Sequence, residues 1–176
     1  MSRSDPLLTA ARWLVRIIQA LMLIAAAAIV LALPLILFNQ AEVQRQLTEQ
    51  NATLDAAGLL IRLMPLLLAA LMFVAIVYQF ARRVALIIDT VAQGDPFVPV
   101  NAVRLTQMAW LAVLGQVIAW AVALLAIWVS SAFPREPVSI EAEFSLNGLI
   151  LVVLLFILAR VFRHGAAMRA DLEGTV

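Results

Sequence analysis

Apolar residues run along this chain in four long blocks separated by shorter polar stretches. The first, Ile17 to Phe38, holds one strongly polar side chain, Gln19. As a helix it would be about 33 Å long, enough to cross a hydrocarbon core of roughly 30 Å. The second runs from about Leu59 to Phe80, with Arg62 and Pro65 near its start, and the third from about Met108 to Val129. The fourth, Phe144 to Phe162, carries Asn147 and Gly148 near its start and Arg160 near its end, around an entirely apolar stretch from Leu149 to Ala159. The pattern predicts an all-α integral membrane four-helix bundle, a single domain over residues 1–176 with spans at about 17–38, 59–80, 108–129 and 144–162.

Composition sharpens this into exclusions. The chain has 176 residues, 65% hydrophobic and 13% charged, where soluble domains have about 45–50% and about 25%. Four crossings of roughly 20 residues occupy close to half of it, which leaves no room for a separate soluble catalytic domain. With 12 basic residues, all Arg, against 11 acidic ones, the net charge of +1 gives no reason to expect nucleic acid as a direct ligand. Zero Cys and one His exclude disulfides, zinc-thiolate sites and imidazole metal clusters. No Asp, Glu, His or Lys lies deep in the spans, and no carboxylate pair, Ser/His/Asp set, phosphate loop or HExxH is present. The expectation is therefore no enzyme, no cofactor and no metal.

The Arg residues give an orientation, because loops retained in the cytoplasm carry the excess of Lys and Arg. Arg3, Arg12 and Arg16 precede span one, Arg82, Arg83 and Arg104 lie between spans two and three, and Arg160, Arg163 and Arg169 follow span four. Opposite them are only Arg45 and Arg135, with Arg62 just inside the boundary, beside the acidic residues Glu42, Glu49, Asp55, Glu136, Glu141 and Glu143. Both termini and the middle loop are thus expected in the cytoplasm. Trp13, Tyr78, Trp110 and Phe162 fall at the inner interface, and Phe38, Trp128, Phe133 and Phe144 at the outer one. The first apolar run is longer than the 7–15 residues of a signal peptide's core, so despite Ala25 to Ala28 it reads as a retained span.

Within the bilayer, Gly115, Ala119 and Ala123 form a small-residue stripe on span three, with a shorter one at Ala28 and Ala32 on span one. Gln116, at mid-depth, is expected to face another helix through a structural hydrogen bond or a substrate contact. Pro34 and Pro65 sit toward the outer helix ends, and Arg62 is expected to snorkel outward and pair with Glu42, Glu49 or Asp55. The sequon-like Asn51-Ala52-Thr53 is too common a pattern to interpret.

More information lies on the cytoplasmic side. From Ala81 to Gln93, Val84, Ile87, Ile88 and Val91 recur at i, i+3, i+4, i+7, while Arg82, Leu86, Asp89 and Gln93 line the opposite face. Span two is therefore expected to continue as a cytoplasmic amphipathic helix. Gly94 supplies a left-handed residue after it, Asp95-Pro96 a turn, and Asn101 a cap for the next helix. Two readings stand: an interfacial helix with Phe97 as a lipid anchor, or a docking surface for a cytosolic partner. In the tail, Arg169 and Glu173 can pair at i, i+4 and Gly174 can end a helix; otherwise the tail is solvated.

The corner Gly94-Asp95-Pro96-Phe97-Val98-Pro99 with Asn101 and Arg104-Leu105, the segment Phe144-Ser145-Leu146-Asn147-Gly148-Leu149 and the terminal Asp171-Leu172-Glu173-Gly174-Thr175-Val176 together resemble a bacterial membrane-protein family, domain of unknown function 2975 (YoaS-like). Val100 departs from the acidic residue more usual there. The resemblance covers essentially the whole chain and implies a four-span inner-membrane protein encoded beside a small helix-turn-helix regulator, with no established activity. The leading expectation is an interaction partner of such a regulator, through Arg82, Arg83, Leu86, Asp89, Asp95, Phe97, Arg104, Arg169, Asp171 and Glu173. The alternative is a small-molecule or lipid-binding sensor or transporter component, which needs Gln116 and Asn147 on a polar cavity. Membrane lipid is the other expected partner, and a homo-oligomer fits either reading.

Overall fold

The computed structural model describes residues 6–49, 54–133 and 146–173. Arg3, the sequon at Asn51, Phe144 and Ser145 of the family pattern, Arg135 and the acidic residues Glu136, Glu141 and Glu143 lie outside the described residues, as does Gly174. Five helices and no strand occur among those described: α1 (Pro6–Phe38), α2 (Gln40–Glu49), α3 (Ala56–Ala92), α4 (Pro99–Ser130) and α5 (Leu146–Glu173). All but α2 are long and apolar enough to cross a membrane, which makes this a multi-pass membrane protein.

Each expected span, as far as it is described, belongs to a longer helix that continues past it at the Arg-rich end. α3 has 37 residues and is about 55 Å long, so roughly 25 Å of it extends past a hydrocarbon core of about 30 Å. Local chemistry sets the ends. Pro6 and Pro99 occupy first helical positions, where a missing N–H costs nothing. Asp55 caps α3 by accepting a 2.8 Å hydrogen bond from the Gly58 N–H at Oδ1. Pro34 and Pro65 are accommodated inside continuous helices. α2 is a short polar helix that the apolar blocks gave no reason to expect, and the tail is helical to Glu173, one residue before Gly174.

The chain divides into two compact units. Unit 1 comprises residues 1–22, 76–115 and 145–176. One core there joins α4 to α5 and α3: Leu105, Met108, Ala109, Leu155 and Ala159 are buried, with Phe80, Val84, Ile87 and Phe162 packed against them. A second joins α1 to α3 through Val15, Ala81 and Ile88, with Leu8, Ala11 and Ile18 alongside. Val84 serves both. At Gly115 α4 faces Ile76 of α3, and a Cβ there would meet Ile76 Cγ2 at 3.5 Å, an ordinary contact. Phe162, expected at the interface, packs inward.

Unit 2 comprises residues 23–75 and 116–144. Arg62 is here, and its partners correct the expected ion pair. Its Nη1 donates to the Trp128 carbonyl (2.7 Å) and to Ser131 Oγ (3.0 Å), and its guanidinium lies 5.1 Å from the Trp128 ring centroid. Glu42 is taken instead by Arg45, 2.8 Å away, and Asp55 by its capping role. Gln44 Oε1 accepts from the Ala56 N–H at 2.8 Å, tying α2 to the start of α3. An aliphatic groove in this unit is lined by Ile29, Leu33, Met64 and Leu71 among others. Gln116 and Asn147 line neither this groove nor the one described below, and Asn147 is exposed.

In three of the four spanning helices the most apolar stretch contains no buried residue. Those side chains are left for lipid tails, which is the inverse of a soluble bundle.

Candidate functional site

The described side-chain hydrogen bonds that are partly buried lie in unit 1, around the corner between α3 and α4 and the start of α4. Gly94 adopts φ 83°, the left-handed conformation that glycine reaches without steric cost. Its N–H donates to the Val91 carbonyl (3.0 Å) and the Asp95 N–H to the Thr90 carbonyl (3.1 Å), a Schellman arrangement that satisfies the end of α3. Pro99 then starts α4. Asn101, expected as the cap, is instead inside the first turn, because Pro99 fixes the entry two residues earlier; its N–H donates to the Val98 carbonyl at 2.9 Å.

Asn101 has a different task. It is fully buried, the only described polar residue in that state. Its Nδ2 donates to Thr90 Oγ1 (2.7 Å) and to the Pro96 carbonyl (2.9 Å), and its Oδ1 accepts from Arg104 Nη1 (2.8 Å). Thr90 Oγ1 passes its own proton to the Ile87 carbonyl, and Arg104 Nη1 also donates to the Leu86 carbonyl at 3.0 Å. One side chain thus stitches the last turns of α3, the corner and the first turn of α4 together. A buried amide is tolerated because both its ends are satisfied.

Two ion pairs attach α1 and α5 to this hairpin. Arg12 of α1 lies 2.9 Å from Asp89 of α3, and Arg169 of α5 pairs with Asp95 at the corner. Phe97 packs on Phe162 with ring centroids 5.3 Å apart. It also sits so close to α5 that a Cβ on Gly165 would lie 2.6 Å from its Cδ1. Phe97 is therefore a packing residue between the corner and α5, though it keeps 40% of its surface exposed.

The ten residues singled out from the sequence separate into groups. Arg82, Arg83, Leu86 and Arg104 line one groove of about 210 Å³ between α3 and α4, with Gln79, Val100, Val103 and Gln107. Asp95, Phe97 and Arg169 meet at the corner, and Asp89 is joined to Arg12. Asp171 is exposed one turn beyond, and the side chain of Glu173, expected to pair with Arg169, lies outside the described residues. Sequence reasoning missed Thr90, Arg12, Phe162 and Gly165. Of these only Gly165 left a trace, as a glycine inside a helical pattern, which signals close approach of a neighbour. Among the described residues no group of three His, Asp or Glu side chains converges as a metal site would require.

The family model for a protein of unknown function, DUF2975, matches residues 43–176. The chain belongs to the DUF2975 family. The matched region of this DUF2975 protein takes in the α3–α4 corner, the Arg-lined groove and all of α5, and excludes Arg12 on α1. No curated protein and no solved structure matches the chain.

Proposed function

We propose that this DUF2975 protein is a non-enzymatic interaction protein of a bacterial inner membrane, whose Arg-rich end, with both termini, lies in the cytoplasm and docks a small helix-turn-helix regulator. The distribution of Arg supports the orientation. The observation that carries the docking reading is the construction of that end. α1, the α3–α4 corner and α5 are joined by the Arg12–Asp89 and Arg169–Asp95 pairs and by Phe97 on Phe162. The result is an ordered platform. The part of α3 from Ala81 to Ala92, in this reading, is the cytoplasmic extension of the second span.

The docking face assigned here is the corner with the last turns of α5: the exposed edge of Phe97, Met168, which is 61% exposed, and Asp171. The test is recovery of the regulator encoded beside this gene when the full chain is purified in detergent. Substituting Met168→Glu together with Asp171→Arg is expected to reduce recovery at least about tenfold and to change expression of the regulator's target. Unchanged recovery in that variant, or no recovery with the parent chain, would overturn the proposal.

A further inference from the structure

The positive charges of unit 1 differ in how they are neutralised. Arg12 and Arg169 have carboxylate partners. The three that line the α3–α4 groove have none. Arg83 Nε donates to Gln107 Oε1 (2.9 Å) and its Nη1 to the Gln79 carbonyl (3.0 Å); Arg104 Nη1 donates to the Leu86 carbonyl and Asn101 Oδ1. All of these acceptors are neutral. Arg82 is exposed at the groove's lip and bonds to no described residue.

A guanidinium carries five N–H donors in a planar fork. The bonds above orient Arg83 and Arg104 but leave Nη2 of both, and Nε of Arg104, unused. Three cations thus converge on about 210 Å³ with no acidic residue in its lining. Such a fork presents the geometry that phosphate oxygens accept bidentately.

Depth and the opposite wall identify the source of the phosphate. Gln79, one residue inside the apolar block that ends at Phe80, and Gln107, one residue outside the block that begins at Met108, flank the groove at the edge of the apolar blocks, which is headgroup level in a bilayer. The remaining wall is apolar and exposed: Leu86 37%, Val100 46% and Val103 54%. Seven residues after Val103 on the same helix face, Trp110 is 63% exposed. A soluble phosphate has no use for Val103 and Trp110, whereas a lipid lays its glycerol and acyl chains along them.

We propose that the groove between α3 and α4 is a binding site for an anionic phospholipid, its phosphodiester held by Arg82, Arg83 and Arg104 and its apolar portion running past Val103 toward Trp110. The site is distinct from the docking face and does not depend on it.

The experiment is native mass spectrometry of the full chain in neutral detergent, titrated with phosphatidylglycerol, cardiolipin or phosphatidylcholine. The parent chain is expected to retain the two anionic lipids at least about tenfold better than phosphatidylcholine. Each guanidinium contributes about fivefold, so Arg82→Gln lowers phosphatidylglycerol binding about fivefold and Arg82→Gln with Arg83→Gln about 25-fold. Arg82 makes no bond, so its single substitution tests the site even if the double variant fails to fold. Arg160→Gln with Arg163→Gln, which removes two charges from α5, is expected to leave binding within twofold. Equal retention of phosphatidylcholine, an equal loss in the Arg160/Arg163 variant, or displacement of phosphatidylglycerol by equimolar inorganic phosphate would each overturn the proposal.

Discussion

Asn101 is the side chain on which the α3–α4 corner depends, and Asn101→Ala measures by how much. The substitution removes two hydrogen bonds to neutral acceptors, Thr90 Oγ1 and the Pro96 carbonyl, and one from the Arg104 guanidinium. Neutral bonds contribute about 1 kcal/mol each and those to charged groups about 1.5–3, so the corner loses roughly 3–5 kcal/mol. The amides of Gly94, Asp95 and Asn101 report the loss directly, because each donates to a corner carbonyl at 2.9–3.1 Å. Hydrogen exchange on the detergent-solubilised chain follows local opening, and 3 kcal/mol corresponds to about 150-fold faster exchange at these amides. Thr90→Val removes only one member of the network and is expected to accelerate the same amides about fivefold. Because it shares a bond with Asn101, the double variant should fall short of the product of the singles. If Asn101→Ala exchanged within threefold of the parent at all three amides, the reasoning would be refuted, and the proline-bounded backbone would have to hold the corner by itself.

Other consequences of the geometry are open to direct measurement. Gly165→Ala gains about 1 kcal/mol of helix propensity, yet it displaces the Phe97 ring from Phe162 at an overpacking cost of about 1–3 kcal/mol; the expected balance is faster exchange of the 94–98 segment, and a slower rate would show that the ring yields freely. Arg62→Ala loses two hydrogen bonds and the stacking on Trp128, so the Trp128 region should exchange about tenfold faster or more, while Arg45→Ala, which removes partly exposed ion pairs within α2, should change little by the same readout. Raising salt from about 0.05 to 0.5 M shortens the screening length about threefold and should speed exchange in the last turns of α5 but leave the amides around Asn101 unchanged. Reporter fusions at either terminus are expected to be active only as cytoplasmic reporters, and a fusion after Glu49 only as an external one, as the Arg distribution requires.

The spans were legible because length and apolarity are local properties, and Gly94 was legible because one dihedral region selects one residue type. The continuation of α3 past Phe80 was legible too, because Val84, Ile87, Ile88 and Val91 keep a helical spacing up to Gly94. Charged residues such as Arg82, Asp89 and Arg169 read as the end of a membrane segment, but a helix does not stop where its solvent changes, and packing on Phe80, Val84 and Ala159 carries it onward. Partner assignments failed for the opposite reason. Arg62 was matched to nearby acids by charge, whereas the carbonyl of Trp128 and the hydroxyl of Ser131 come from a helix 66 and 69 residues away. No pattern within α3 encodes that distance. Asn101 was recognised as a turn residue, and its true role depends on Thr90 and Pro96 arriving from the other arm of the corner.

The connections within unit 1 form a hierarchy. The α3–α4 corner is held by a partly buried hydrogen-bond network around Asn101, which contains the Arg104 guanidinium but no carboxylate and depends less on salt than an ion pair does. α1 and α5 are attached to it by ion pairs whose side chains are 32–50% exposed, and pairs of that exposure contribute at most about 1 kcal/mol each. A partner approaching this end therefore meets a fixed corner flanked by two helices that are packed along their apolar faces and tied to the corner by weak ion pairs. It needs little interaction energy to replace Arg169 at Asp95, and far more to open the corner. That asymmetry makes the last turns of α5 the responsive element of this proposed platform. The Arg-lined groove, built on the fixed corner, is by the same reasoning preformed, so a lipid phosphate bound there need not wait for a conformational change.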